Sequence, residues 1–260
     1  MYCFKSRIRY SEINSQGFLS MEALMNYFQD CSTFQSEDGG IGIDYLGERD
    51  QAWVVNSWQV DVSRYPRLGE KVIIGTIPYE IKGFVGCRNY FMDTEDGERL
   101  AVANSVWALI NIKKGGPVRV TPDILEGYPI EEKLPMEYLP RKISFPKEGD
   151  IKKAEKIPVQ PYHLDTNQHV NNNQYINMGM GVIRSLEDNC EVMPTVQRLR
   201  AEYRMQARLG DVIYPVCCTN ANESGIVHTV SLGDEDGKPY CIIEVTQKDL
   251  SGSGKEEHNV

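Results

Sequence analysis

The segment Asp165-Thr166-Asn167-Gln168-His169-Val170-Asn171-Asn172-Asn173-Gln174 sets a carboxylate, a carboxamide and an imidazole on alternate positions, just ahead of a helix-initiating run of asparagines. A carboxylate can serve as general base or nucleophile, an amide can orient it, and an imidazole can move a proton near neutral pH. If the residues before the helix are extended, side chains two apart share a face, and Asp165, Asn167 and His169 converge. The backbone N–H groups around Val170 and Asn171 then lie at a helix N-terminus, where they suit a developing oxyanion. A plainer role stands beside this one, since Asp and Asn ahead of a helix commonly cap it.

The rest of the chain must position that segment. Its 260 residues, 41% of them hydrophobic, suffice for one large core or two smaller ones. A formal charge of −9 argues against nucleic acid as the main partner. No leader-like N-terminus is read, and no apolar run approaches the roughly 18 residues of a membrane span, so a cytosolic protein is expected. Seven scattered cysteines without a C-x-x-C pair suit a reduced, mostly buried set. Four histidines without ligand spacing give no reason to expect a metal or other cofactor. No G-x-S-x-G elbow occurs, and Gly39-Gly40-Ile41-Gly42 follows a helical pattern where a dinucleotide fingerprint follows a strand.

Internal similarity organises the remainder. Tyr10 and Gln16 match Tyr162 and Gln168 at an offset of 152, Arg67-Leu68-Gly69-Glu70 matches Arg208-Leu209-Gly210-Asp211 at 141, and Glu95-Asp96-Gly97 matches Glu235-Asp236-Gly237 at 140. The three matches are collinear, which predicts a duplicated chain with about eleven extra residues in the first copy, in the glycine-rich segment Ser36 to Arg49. Each copy reads as a strand, a long helix and four alternating strands. The helices begin near Ser20 and at Asn172, with Leu24, Phe28 and Cys31 on the buried stripe of the first, and Ile176, Gly179, Ile183 and Leu186 on that of the second. The expected division is residues 1–125 for the first copy, 126–154 for a Pro-, Lys- and Glu-rich extended linker, 155–250 for the second copy and 251–260 for a tail. One long helix on a bent antiparallel sheet, made twice, is the simplest assembly, and pairing two sheet edges would make the chain its own dimer.

This duplicated order, with Asp165-x-Asn167-x-His169-Val170-Asn171-Asn172 opening the second helix, resembles the acyl-[acyl carrier protein] thioesterases over nearly the whole chain. The resemblance implies an α+β tandem (double) hotdog fold that hydrolyses fatty acyl thioesters of acyl carrier protein, with Asp165, Asn167 and His169 as active-site residues. Family members commonly carry Glu then Cys after a Glu-Tyr-Arg run; here Glu202-Tyr203-Arg204-Met205 is followed by Gln206-Ala207, so Gln206 takes the fourth catalytic place and no thiol stands there. Plant members carry a transit peptide, and its absence from this reading points to a bacterial member. The resemblance assigns the acyl-binding role to the N-terminal half, with Met21, Leu24, Met25, Phe28, Trp53 and Trp58 as lining residues, or as ordinary core.

Aligning Gln16 with Gln168 sets Ile13, Ser15 and Gly17 against the three catalytic positions, so chemistry is expected in the second copy alone. The implied partner is acyl carrier protein with its phosphopantetheine-linked chain, with no nucleic acid and no membrane span, on a monomeric pseudo-dimer or a homodimer. Acyl carrier protein is acidic, so Lys113, Lys114, Arg119, Arg141, Lys142, Lys152, Lys153, Lys156, Arg198 and Arg200 are the docking candidates. Rival readings are an acyl-CoA thioesterase, a double-hotdog hydratase or dehydratase, and a non-catalytic acyl-binding protein.

Overall fold

Segments whose side chains alternate between core and solvent form the strands, and the two long stripes of apolar residues form the helices. The computed structural model describes residues 1–186, 196–222 and 225–248. The expected tail at 251–260, with Cys190, lies outside the described residues.

In chain order the elements are β1 (Tyr2–Arg7), α1 (Met21–Asp38), α2 (Ile43–Gly47), β2 (Gln51–Val62), β3 (Lys71–Lys82), β4 (Val85–Thr94), β5 (Arg99–Asn111), α3 (Pro122–Glu126), β6 (Asp150–Lys153), β7 (Ile157–Pro158), α4 (Asn172–Leu186), β8 (Val196–Tyr203), β9 (Val212–Asn222), β10 (Gly225–Gly233) and β11 (Pro239–Gln247). They fall into two units, Met1–Arg141 and the residues from Lys142 onward.

In the first unit the antiparallel order is β1-β3-β4-β5-β2, with α1 packed on β1 and β3. Ser20 caps α1 by accepting the Ala23 N–H at 3.2 Å. Gly75 of β3 pairs with Phe91 of β4, and a Cβ at Gly75 would lie 2.2 Å from the Phe91 ring; the missing side chain leaves room for the aromatic one. In the second unit the order is β7-β9-β10-β11-β8, with α4 packed on β9, β10 and β11. Each unit is one long helix on an antiparallel sheet, the α+β hotdog arrangement.

Hydrogen bonds establish the duplication at the level of single residues. Asn14 N–H bonds Phe18 O at 2.8 Å and Ser20 N–H bonds Glu12 O at 2.9 Å; Asp165 N–H bonds His169 O at 2.8 Å and Asn171 N–H bonds His163 O at 2.8 Å. Leu19 N–H reaches Pro66 O as Val170 N–H reaches Ala207 O, both at 2.9 Å. The turn at Gly97, with positive φ, repeats at Gly237.

The offset at the helix start is therefore 151, where the sequence comparison led to 152. Tyr10 and Tyr162, which suggested the larger value, are surface residues, 81% and 75% exposed, and Tyr162 meets the ring of the adjacent His163, a local contact that sets no common register. At β2 the offset is 141, and at β5 it is 140, so the first copy carries ten extra residues between the start of α1 and β2. The end of α1 and α2 fill that stretch.

The connector is more structured than an extended spacer. Buried Asn89 accepts Leu134 N–H at 3.0 Å and Tyr138 Oη–H at 2.9 Å, and buried Gln59 accepts Leu139 N–H at 3.0 Å while donating to Glu137 O at 2.7 Å. These two amides strap the early connector onto the first unit. Farther on, Asp150–Lys153 forms β6 against β9, so a strand of the second unit begins inside the stretch read as linker. Together β6 and β7 lie on β9 as β1 lies on β3.

The described cysteines are free thiols, with Cys31, Cys217, Cys218 and Cys241 buried, Cys87 half-buried and Cys3 exposed. No helix among the described residues is long and apolar enough to cross a membrane.

Candidate active site

Asp165 to Val170 is a tight turn, and this overturns the extended geometry on which alternate-face convergence depended. Leu164 and Val170 bridge, Gln168 N–H bonds Asp165 O at 3.1 Å, and Gln168 sits at φ 60° in the left-handed region. The first copy places Gly17, at φ 82°, in the same position. A glutamine there carries a backbone cost of about 1–2 kcal/mol that glycine avoids.

The Asp165 carboxylate organises the turn. Its Oδ1 accepts the N–H of Asn167 at 2.8 Å and the N–H of His169 at 3.2 Å. Asn14 does the same in the first copy, its Oδ1 accepting Gln16 N–H at 3.0 Å and Phe18 N–H at 3.1 Å. The structural counterparts of Asp165, Asn167 and His169 are thus Asn14, Gln16 and Phe18, correcting the expected Ile13, Ser15 and Gly17. The second Asp165 oxygen makes no hydrogen bond to a described residue. No hydrogen bond joins the side chains of Asp165, Asn167 and His169; they share a turn, with Asn167 exposed and the other two half-buried. The His169 Nδ1 is buried and has no partner among the described residues.

The two expected oxyanion donors are both occupied. Val170 N–H bonds Ala207 O and Asn171 N–H bonds His163 O, because those bonds hold the turn to its neighbours. The donor left at the start of α4 is Asn172 N–H, which no described residue accepts. Asn171 instead caps α4, its Oδ1 accepting Asn173 N–H at 2.9 Å.

Gln206 is exposed and makes no side-chain hydrogen bond among the described residues. Its neighbour brings the backbone to the turn, through the Ala207 carbonyl on Val170. Ala207 N–H is buried and donates to the Tyr175 hydroxyl at 2.8 Å. Tyr203 donates from its hydroxyl to Asn172 O at 3.1 Å, and the two tyrosine rings meet edge-on at 6.1 Å. Burial pushes both hydroxyls above their ordinary proton affinity, so both stay neutral. The Glu-Tyr-Arg run contains Tyr203 without assigning it a role, and no motif spacing marks Tyr175.

In the first copy the counterpart of Ala207 is Pro66, which has no N–H, and the counterpart of Tyr175 is Leu24. A donor and its acceptor have disappeared together. Tyr175→Phe is therefore expected to lower unfolding free energy by about 1–3 kcal/mol, since it strands the buried Ala207 N–H. Urea denaturation measures this, and the added change Ala207→Pro should shrink the loss by removing the donor.

His163 and His228 are buried residues held by neighbouring groups. His163 Nδ1 accepts Gln160 N–H at 3.0 Å, and burial lowers its proton affinity. His228 lies between Thr219 Oγ1 at 3.0 Å and Gln247 Oε1 at 3.2 Å.

The six expected chain-lining residues do not form one group. Met21, Leu24, Met25 and Phe28 are buried on α1. Phe28 lies 5.4 Å from Tyr90 and Trp58 lies 4.7 Å from the same ring, so these two share a cluster. Trp53 packs elsewhere, edge-on to Tyr128 at 6.2 Å, against the cluster of Ile41, Leu46, Leu109 and Ile124. The bulge between Val55 and Ser57 puts the two tryptophans on one face of β2, but opposite Leu109 and Ser105, so distance along the strand places them in separate clusters.

Comparison with known proteins adds to this geometry. The family model described as acyl-ACP thioesterase N-terminal domain matches residues 1–128, and that of the C-terminal domain matches residues 147–248. A chloroplastic acyl-[acyl-carrier-protein] hydrolase of Cuphea viscosissima is 28% identical over 238 residues, 84% of this chain and 55% of that protein. A chloroplastic oleoyl-acyl carrier protein thioesterase of Arabidopsis thaliana is 26% identical over 98% of this chain and 73% of its own length. The chain spans about half the length of the Cuphea viscosissima relatives. Among solved structures, a putative oleoyl thioesterase from Lactobacillus plantarum superposes with a TM-score of 0.84 at 20% identity, covering 95% of this chain and 96% of that one. An acyl-ACP thioesterase from Bacteroides thetaiotaomicron superposes at 0.78 with 22% identity, covering 94% and 96%. At these identities the superpositions speak to the fold.

Proposed function

Because the chain belongs to the acyl-ACP thioesterase family, matched in both its N-terminal and C-terminal domains, we propose that it hydrolyses fatty acyl-[acyl carrier protein], releasing the free fatty acid and ending chain elongation. One observation carries the assignment of the site. The same turn is built twice with the same hydrogen bonds, and the first copy builds it from Asn14 and Phe18, so its fold requires neither a carboxylate nor an imidazole at those positions. What Asp165 and His169 add beyond that scaffold is chemistry.

Thioester hydrolysis needs help chiefly at the attack, because the departing thiol, with a pKa of about 8.5, leaves readily as thiolate. The uncommitted oxygen of Asp165 either takes a proton from water or attacks the carbonyl to form a transient anhydride. Its other oxygen, pinned by two backbone N–H groups, keeps the carboxylate aimed. His169, with an unpartnered Nδ1, passes the proton onward, and Asn167 and Gln206 orient water or the substrate carbonyl. Asn172 N–H takes over the oxyanion role expected of Val170 and Asn171.

The acidic carrier would meet exposed cations. Lys113 is paired with Asp50, Arg200 with Glu244, and Lys156 lies over the Tyr214 ring, which leaves Lys142 and Lys153 among the freer exposed candidates of the second unit. A cytosolic location is part of this reading, and the free thiols suit a reducing compartment.

Turnover of one acyl chain on the carrier protein and on CoA tests the proposal. The expected kcat/KM is at least about tenfold higher on the carrier at low salt, falling as ionic strength screens the encounter. Equal turnover on CoA would make the chain an acyl-CoA thioesterase, and binding without turnover on either would make it an acyl-binding protein.

A further inference from the structure

The first unit holds a buried cation that no carboxylate neutralises. Arg88 of β4 is 8% exposed, and among the described residues no acidic side chain lies within ion-pair distance of it. Its guanidinium makes one long hydrogen bond, 3.4 Å from Nη1 to Ser32 O, and lies 5.1 Å from the centre of the Tyr128 ring. Arginine keeps its charge under all ordinary conditions, and an interior arginine is normally paired. One weak carbonyl contact and an aromatic face leave most of its five N–H groups without an acceptor among the described residues.

A second polar group at this locus is equally uncommitted. Gln35, three residues along α1 from Ser32 and on the same face, is 6% exposed, and its amide makes no hydrogen bond to a described residue. Ser36, one residue on, shares a hydrogen bond of 2.9 Å with the Tyr128 hydroxyl.

The same face becomes apolar one helical turn earlier. Tyr90 lies two residues beyond Arg88 on β4 and so on the same side of the sheet, and its ring is flanked by Phe28 and Trp58. Phe28 is one turn before Ser32 on α1. An aromatic surface thus runs into an unpaired guanidinium about 6 Å along the helix and a free amide about 10 Å along it.

The second unit has no such arrangement. Strand register makes His228 the counterpart of Arg88, and both of its ring nitrogens are satisfied. The counterparts of Phe28, Ser32 and Gln35 are Gly179, Ile183 and Leu186, which offer no polar group.

We propose that the first unit is a binding site for an aliphatic carboxylate, with the carboxylate on Arg88 and Gln35 and the hydrocarbon body along Phe28, Tyr90 and Trp58. Such a ligand has two sources, a free fatty acid or an acyl chain that carries a carboxylate at its far end. Phe28 and Trp58 are among the residues expected to line an acyl chain, so the hydrocarbon part rests on the proposed function; the new element is the carboxylate on Arg88 and Gln35, which lie outside the Asp165 turn.

The fluorescence of Trp58 against Tyr90 provides a direct readout of binding to the full chain. Dodecanoate should bind at least about tenfold more tightly than dodecanol, and Arg88→Met should remove that preference while leaving dodecanol binding unchanged. Arg88→Lys, which keeps the charge without the fork, should retain part of the preference. Equal binding of dodecanoate and dodecanol by the unaltered protein, or an undiminished preference in Arg88→Met, overturns the proposal. The unaltered protein alone decides the first point, even if the Met variant fails to fold.

Two pantetheine thioethers, one chain ending in methyl and the other in carboxylate, identify the source. Selective binding of the carboxylate-ended thioether, lost in Arg88→Met, indicates a substrate chain end; preference confined to dodecanoate indicates free acid. Failure of the thioesterase reading would appear separately, as absent turnover with this preference intact.

Discussion

Asp165→Asn should reduce kcat for acyl-carrier thioester hydrolysis by at least about 100-fold while leaving folding stability essentially unchanged. The second half of that expectation comes from the chain itself. Asn14 holds the equivalent turn in the first copy with two hydrogen bonds of 3.0 and 3.1 Å, against 2.8 and 3.2 Å for Asp165. An asparagine oxygen can therefore do the structural work of the carboxylate, and the variant loses only charge and basicity. Steady-state kinetics and a urea titration on the same preparation check both halves. Activity near that of the unaltered protein would reduce Asp165 to a capping residue, and a large loss of stability would mean that the carboxylate was needed for the turn.

His169→Phe is the matching experiment at the imidazole, with an expected loss of the same order, about 100-fold or more in kcat. Phenylalanine is what the first copy places at this position, so the backbone accepts it. The buried Nδ1 has no partner to strand, so the substitution leaves no described group unsatisfied. A rate-pH profile adds a readout that a packing role would not move. If the imidazole carries the proton, the rate-pH profile of the unaltered enzyme differs in shape from that of His169→Phe. An unchanged rate and an unchanged profile would refute the role. The combined variant should fall little below either single one, because groups that act in one proton transfer are not additive.

Both experiments depend on comparing two copies of one structure, and that comparison was only partly legible in the sequence. The Arg-Leu-Gly and Glu-Asp-Gly turns were visible because a reversed chain direction needs glycine at positive φ, which leaves a residue-type signature. Copies aligned through Tyr10 and Tyr162 slipped by one residue, because these exposed tyrosines lie outside the core that fixes the register. That slip hid the equivalence of Asn14 with Asp165. Its consequence, that neither carboxylate nor imidazole is needed to fold this turn, emerged only from the hydrogen bonds.

Alternation and helical periodicity, set by local backbone geometry, determined the order of strands and helices, repeated turn motifs the two-copy plan, and residue types with the family resemblance the choice of Asp165, Asn167 and His169 as candidates. Tertiary structure decided how those groups are held. The turn replaced the expected extended run because the Asp165 carboxylate binds the N–H groups of residues two and four ahead, a local competition that residue spacing does not reveal. Val170 and Asn171 lost their expected role because their N–H groups face acceptors at Ala207 and His163, and Ala207 is distant in sequence. No motif marks Arg88 in the sequence; its lack of an acidic partner among the described residues is a property of everything packed around it. Periodicity is written residue by residue, whereas the occupancy of a donor or the neutralisation of a charge depends on chain segments brought together only by folding.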